Sequence, residues 1–252
     1  MAASLNESAI RAILLDIEGT TTPVDFVYVT LFPYARARAR EFLRVHWCDA
    51  DVREDVAGLR AQHAADTAAN LAPPSWTADP HVPGGEIVAA AEYVEWLIDR
   101  DSKCSPLKSL QGQMWREGYA KGELQGEVFA DVLPAMLRWT RQGKRICIFS
   151  SGSVLAQKLL FSTSTAGDLT PFLEAYFDTS IGAKRVAQSY RRIAEALSLP
   201  PREIFFISDV TQELAAASDA GMQVALCARG EMPADPGAAQ YSLLRNFDTF
   251  CP

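Results

Sequence analysis

Nowhere in the 252-residue sequence does an apolar run reach the roughly 18 residues that a bilayer crossing needs. The N-terminus also lacks the basic-then-apolar pattern of a secretory signal, so the expectation is a cytoplasmic protein. Positive charge is scarce, with 24 Lys and Arg against 31 Asp and Glu and a net charge of −7. That balance excludes a broad basic face for nucleic acid, although a local cationic pocket for a small anion remains compatible with it. The three histidines, His46, His63 and His81, show no spacing to a metal-ligating partner and read as structural or exposed. The five cysteines (Cys48, Cys104, Cys147, Cys227 and Cys251) form no zinc-like pattern. An odd, unpatterned set fits a reducing compartment, and Cys147 in "RICIF" and Cys227 in "VALCA" read as small buried hydrophobes. There is no internal repeat and no low-complexity tail.

What the chain has in quantity is apolar side chains, at 48%, enough to build one large domain or a core with a modest insertion. Short apolar runs at 12–16, 145–150, 175–179, 203–209 and 223–228 read as buried strands. Helical patterns at 131–142, 153–161, 185–198 and 211–220 alternate with them. This alternation predicts an α/β, Rossmann-like parallel sheet with helices on both faces. Between the first and second strands the rhythm breaks. Residues 23–129 show helical patterns at 26–46, 50–70, 84–99 and 105–120, parted by the proline-rich "LAPPSWTADPHVPGG". The expected organisation is a core of 1–22 and 130–252 with an all-helical domain, 23–129, inserted in it. "ARARAR" (35–40) reads as a solvated helix face, as do Arg191 and Arg192. Met114 and Trp115 in "QGQMW" read as core of the insertion.

Ligands of parallel sheets gather beyond the carboxyl ends of the strands. Asp16 and Glu18 follow the first strand, and Ser150, Ser151 and Gly152 the second; Lys184 lies in the loop after the third, and Asp209 with Glu213 after the fourth. Brought into one crevice, these are the parts of a phosphoryl-transfer site. Asp16 and Asp209 offer hard oxygens to Mg²⁺, Lys184 a second positive charge, Ser150 a hydroxyl, and the N–H groups at 151–153 further donors to phosphate oxygens. With the ester's charge offset, the Asp16 carboxylate can attack phosphorus and form an aspartyl phosphate. Glu213 admits two readings: a brace of the metal site through water or lysine, or a carboxylate that favours a helix N-terminus.

"DIEGTTT" (16–22) resembles the DxDGTxT-like motif of the haloacid dehalogenase superfamily, with Glu18 where most members carry a second Asp. Together with "SLQGQMWREGY", "GEVFADV", "IFSSGS", "GAKRVAQSY" and "FFISDVTQEL", it is similar to the enolase-phosphatase (acireductone synthase) family of methionine salvage, over about residues 10–245. The resemblance implies a phosphoric monoester hydrolase with one Mg²⁺ per subunit, held by Asp16, Glu18 (through its carbonyl) and Asp209. It implies substrate contacts from Ser150, Ser151 and Lys184, and catalytic parts for Asp16, Glu18 and Lys184. The implied substrate is a small phosphorylated diketone, enolised and then dephosphorylated, with residues 23–129 as a cap closing over the site. Enolisation needs a base beside the reacting carbon, and Glu18 and Lys184 are both candidates. The other readings are a phosphatase of another small metabolite in the same superfamily, and a non-catalytic phosphate-binding relative. The family likeness favours a monomer, and no membrane or nucleic-acid partner is expected.

Overall fold

The computed structural model describes residues 7–77, 84–230, 235–248 and 250. His81 and Cys251 lie outside them. In chain order the elements are β1 (Ala12–Leu15), α1 (Phe32–His46), α2 (Ala50–Ala68), α3 (Gly85–Asp99), α4 (Ser105–Ala120), α5 (Val132–Arg141) and β2 (Arg145–Phe149). There follow α6 (Val154–Ser162), β3 (Ala175–Phe177), α7 (Ala187–Leu197), β4 (Ile204–Ser208), α8 (Thr211–Asp219), β5 (Gln223–Cys227) and β6 (Ser242–Leu244). All five expected strands and all eight expected helices are present. β6 was not expected, because its three residues are largely exposed and form no apolar run. No helix among the described residues is long and apolar enough to cross a membrane.

The six strands form one parallel sheet in the order β3-β2-β1-β4-β5-β6. The order reverses between β1 and β4, and a crevice opens beyond the strand ends at such a switch point. β1 pairs with both β2 and β4 and is buried throughout, which a central strand of Ala, Ile and two Leu tolerates well. Alternate side chains point to opposite faces. Leu14, Cys147, Phe149 and Phe206 pack with Tyr190, Ile193 and Leu197 of α7 and with Leu214 and Ala217 of α8. On the other face Phe205 stacks on Phe250, and Trp139 of α5 meets Phe247 and Phe250 at 5.4 and 5.9 Å.

The chain divides into two compact units, Met1–Phe26 with Gln125–Pro252, and Val27–Leu124. The seams fall a few residues from the expected 22/23 and 129/130, because residues 125–129 are tied into the sheet unit. Gly126 N–H donates to Thr163 O (3.0 Å), Thr165 N–H to Gly126 O (2.7 Å) and Phe129 N–H to Thr21 O (3.0 Å).

The second unit is helical. The expected helix 26–46 begins instead as a π-helical turn, Phe26–Leu31, before α1. Pro33 has no N–H for the i→i−4 bond, which favours a widened turn ahead of it. Trp115 Nε1 donates to the Leu31 carbonyl at 2.9 Å. Met114 and Trp115 are buried. The arginines of "ARARAR" lie on the exposed face of α1, where Arg36 pairs with Glu95 and Asp99, Arg38 with Glu123 and Arg40 with Glu92. His46 bridges Asp49 and Glu117, and His63 packs edge-on against Tyr93 with Nε2 at the Pro74 carbonyl, so both are structural. Cys147 and Cys227 are buried, Cys48 is exposed and Cys104 half-buried, and none of the four is in a disulfide.

The sheet is the part of the fold that positions chemistry, and truncation at its centre should be felt strongly. Leu14→Ala is expected to lower unfolding free energy by about 2–5 kcal/mol in urea denaturation. A loss below about 1 kcal/mol would contradict a closely packed β1.

Candidate active site

β1 delivers Asp16 to the switch point, and the register with β4 continues one residue past the strand, since Asp16 N–H donates to Ile207 O at 3.0 Å. The side chain is buried. Its Oδ1 accepts the Ile17 N–H (2.8 Å) and Lys184 Nζ (2.6 Å), and its Oδ2 accepts the Ser208 hydroxyl (2.9 Å). The turn that follows wraps around one carbonyl: the N–H groups of Thr20, Thr21 and Thr22 all lie 2.9–3.1 Å from Ile17 O, while Gly19 N–H donates to Thr22 O. Thr21 Oγ1 adds bonds to the carbonyls of Asp16 and Ile17. Gly19 has φ +70°, and a Cβ there would overlap the Asp209 carboxylate. The crowd of small residues behind Asp16 is therefore a turn tight enough to let a second acid approach.

Arg229, two residues beyond β5, fixes the same turn from outside. Its Nε and Nη2 donate to Thr20 O at 2.9 and 2.7 Å, and Nη1 pairs with Asp131 at 2.6 Å. Its guanidinium is sandwiched between Phe129 and Phe247, 4.4 and 4.3 Å from the ring centres. No sequence argument had singled it out. The logic of strand ends extended to the fifth strand would have found it.

Lys184 is held by backbone. Tyr190 OH donates to the Lys184 carbonyl (2.7 Å) and Ser189 Oγ to the Ala183 carbonyl (2.7 Å). At Gly182, φ +137°, a Cβ would overlap Ser189 Oγ. The buried ammonium bonds Asp16 Oδ1 at 2.6 Å and Glu213 Oε2 at 2.7 Å. Burial opposes its charge, but Asp16, Glu213 and Glu18 outweigh that and hold its pKa above the ordinary lysine value. Of the two readings of Glu213, the structure thus shows a bond to the lysine. Burial and the Asp16 charge push Glu213 itself above the usual carboxylate range.

Ser150 is fully buried. It donates to Glu18 Oε2 at 3.3 Å and accepts the Gly152 N–H at 3.0 Å. Ser151 beside it is half-exposed, and Ser153 caps α6 by accepting the Ala156 N–H. Asp209 is partly buried, and its pKa is raised to about 7, first by desolvation and then by Asp16. The structure therefore brings Asp16, Glu18, Ser150, Lys184 and Asp209 together, and adds Ser208, Glu213 and Arg229.

The donor set suits Mg²⁺. Four acids, Asp16, Glu18, Asp209 and Glu213, act on one ammonium, leaving a surplus of hard, partly desolvated oxygens. Among the described residues no three His, Cys, Asp or Glu side chains form a complete metal cage. Mg²⁺ ordinarily keeps several waters and takes one or two carboxylates, so Asp16, Asp209 and the Glu18 carbonyl remain a fitting set.

Residues 10–221 match the haloacid dehalogenase-like hydrolase family. The enolase-phosphatase E1 of Synechococcus elongatus is 51% identical over 221 residues, covering 88% of this chain and 90% of that protein. That of Danio rerio is 46% identical, covering 91% and 89%. The crystal structure of the UTR4 protein of Saccharomyces cerevisiae superimposes with a TM-score of 0.73 at 30% identity, covering 95% of this chain and 99% of that one. The chain belongs to the haloacid dehalogenase-like hydrolases, in the enolase-phosphatase E1 family. In this chain Glu18 is set two residues from Asp16, with its carboxylate turned to the Ser150 hydroxyl.

A cation at this site should stabilise the fold. Saturating Mg²⁺ at about 100 times its Kd is expected to raise Tm by roughly 5–10 °C. Because Asp209 keeps a proton to about pH 7 when folded, stability without metal falls as pH rises from about 4 to about 7. The gain from Mg²⁺ should accordingly be larger at pH 8 than at pH 5.5, and Asp209→Asn should lose most of it. Equal shifts for both proteins in differential scanning fluorimetry would contradict this site.

Proposed function

We propose that this chain is a Mg²⁺-dependent enolase-phosphatase that converts 2,3-diketo-5-methylthiopentyl 1-phosphate to the acireductone 1,2-dihydroxy-3-keto-5-methylthiopentene and phosphate, in methionine salvage. The observation that carries this reading is the buried Asp16 carboxylate, bonded by Lys184 at 2.6 Å and Ser208 at 2.9 Å, with Glu18 two residues on. We place the enzyme in the cytoplasm as a monomer.

In the first step a proton alpha to the diketone is removed. The geometry favours Glu18 over Lys184 as the base. Two acceptors already engage the Lys184 ammonium, Asp16 and Glu213, so it is held charged and has no lone pair to offer. Glu18 is half-buried, accepts a bond from Ser150, and is one methylene longer than the Asp found at this position in most of the superfamily. In the second step an Asp16 oxygen attacks phosphorus, the ester P–O bond breaks, and Glu18 returns its proton to the leaving oxygen. Water then attacks the phosphorus of the aspartyl phosphate, giving its proton to Glu18, and phosphate departs with the Asp16 carboxylate restored; Glu18 passes that proton to the enolate oxygen left by the first step and is again a base. Lys184 offsets phosphoryl charge, while Ser150, Ser151 and the N–H groups that open α6 bind its oxygens. Bound Mg²⁺ supplies Lewis-acid stabilisation of the phosphoryl and enolate oxygens, with Asp16, Asp209 and the Glu18 carbonyl as its holders. The helical unit takes the part of a cap that excludes bulk water from a reactive enediol.

Asp16→Asn should lower phosphate release by about a thousandfold or more without unfolding the chain. Near-wild-type turnover would remove Asp16 as the nucleophile. Glu18→Gln should slow appearance of the enediol's ultraviolet absorbance by about 10²–10⁴-fold. Normal enolisation in that variant would assign the base elsewhere.

A further inference from the structure

Four side chains close a ring at the end of β4. Lys184 Nζ lies 2.6 Å from Asp16, whose Oδ2 lies 2.9 Å from Ser208 Oγ. Ser208 Oγ lies 3.1 Å from Glu213 Oε2, which returns to Lys184 at 2.7 Å. Three members are ionisable and have obvious work in charge balance. The fourth, Ser208, is fully buried and carries no charge, and it lies in "FFISDVTQEL" with no role assigned to it.

A hydroxyl has one proton to give. Ser208 Oγ already accepts the Val210 N–H at 3.1 Å, which fixes its orientation, so its O–H must point to one of two carboxylates. Glu213 Oε2 has Lys184 as a donor, whereas Asp16 Oδ2 takes its bond from Ser208. Before the reaction the proton therefore belongs to Asp16. There it pins one carboxylate oxygen while Ile17 N–H and Lys184 pin the other. When Asp16 bonds to phosphorus its carboxylate charge disappears, and an acyl oxygen is a weaker acceptor than a carboxylate. Glu213 then becomes the better acceptor within reach.

We propose that Ser208 is a positioning residue that holds the Asp16 carboxylate for attack and turns its proton to Glu213 once Asp16 is phosphorylated. No bond other than hydrogen bonds is made or broken at Ser208. The inference rests on the aspartyl-phosphate reading above. It adds an asymmetry: Ser208 acts more on formation of the phosphoenzyme than on its hydrolysis, because the free carboxylate must be oriented for attack, whereas in the phosphoenzyme the bond to phosphorus already fixes Asp16.

The test is rapid-quench measurement of phosphoenzyme formation and breakdown with Mg²⁺, in wild type, Ser208→Ala, Ser208→Cys and Ser208→Thr. Both p-nitrophenyl phosphate and the diketone ester serve as donors. Alanine, and cysteine with its weak S–H donor, should slow phosphorylation by about tenfold to a hundredfold, the cost of a nucleophile left out of its attack geometry. KM and the hydrolysis rate of the phosphoenzyme should stay within about twofold. Threonine, which keeps the hydroxyl, should recover phosphorylation to within about threefold of wild type, a rescue that a mere packing role would not give. Unchanged phosphorylation in Ser208→Ala, equal slowing of both steps, or no rescue by threonine would overturn the proposal. A wild-type enzyme that is phosphorylated by p-nitrophenyl phosphate but inactive on the diketone would contradict the proposed substrate alone. A wild-type chain that is never phosphorylated would contradict both.

Discussion

One ammonium group, on Lys184, faces a crowd of carboxylates, and the rest of the core is arranged around that imbalance. The Asp16–Lys184 pair at 2.6 Å is almost wholly withdrawn from solvent. A buried pair of this kind is weak as a source of stability, because desolvation offsets most of the attraction. Here a third group, Glu213, shares the same ammonium, and burial, with the Asp16 charge added, raises the Asp209 pKa to about 7. The acids are thus short of counter-charge, and a cation that displaces the remaining protons relieves the repulsion among them.

Holding four acids at one point requires a rigid frame, and three separate devices supply it. The sheet brings Asp16 and Asp209 to the ends of adjacent strands where the strand order reverses. The turn behind Asp16 gathers three N–H groups onto the Ile17 carbonyl, while Arg229 grips Thr20 O from between two aromatic rings. Tyr190 and Ser189, on α7, anchor the backbone at Lys184 and Ala183, so the lysine reaches the site from a fixed base. None of these supports touches the reacting atoms. Each removes a freedom that would otherwise let like charges drift apart.

Much of this was legible in residue order. The strands were visible because central parallel strands are buried on both faces and so read as continuous apolar runs, "AILL" and "IFFIS" above all. Asp16, Lys184 and Asp209 could be placed because a strand end is a position that sequence can locate. β6 could not be seen, since three largely exposed residues at a sheet edge carry no signal. The π-helical turn at Phe26–Leu31 was hidden because its composition is that of an ordinary helix and only Pro33 hints at the break. Ser208 looks like the polar end of an apolar strand, and its importance lies wholly in what surrounds it. Glu213 was ambiguous for a related reason: an acid in the first turn of a helix is favourable whether or not a lysine waits opposite it.

The central claim is that these acids are assembled for one shared cation beside an attacking carboxylate. A crystal structure of the chain grown with Mg²⁺ and beryllium fluoride, a mimic of the aspartyl phosphate, tests it most directly. The account predicts beryllium bonded to an Asp16 oxygen, with a single Mg²⁺ touching Asp16, Asp209 and the Glu18 carbonyl, and Lys184 against a fluorine. Beryllium on any other side chain, or a metal ion that avoids Asp209, would contradict it.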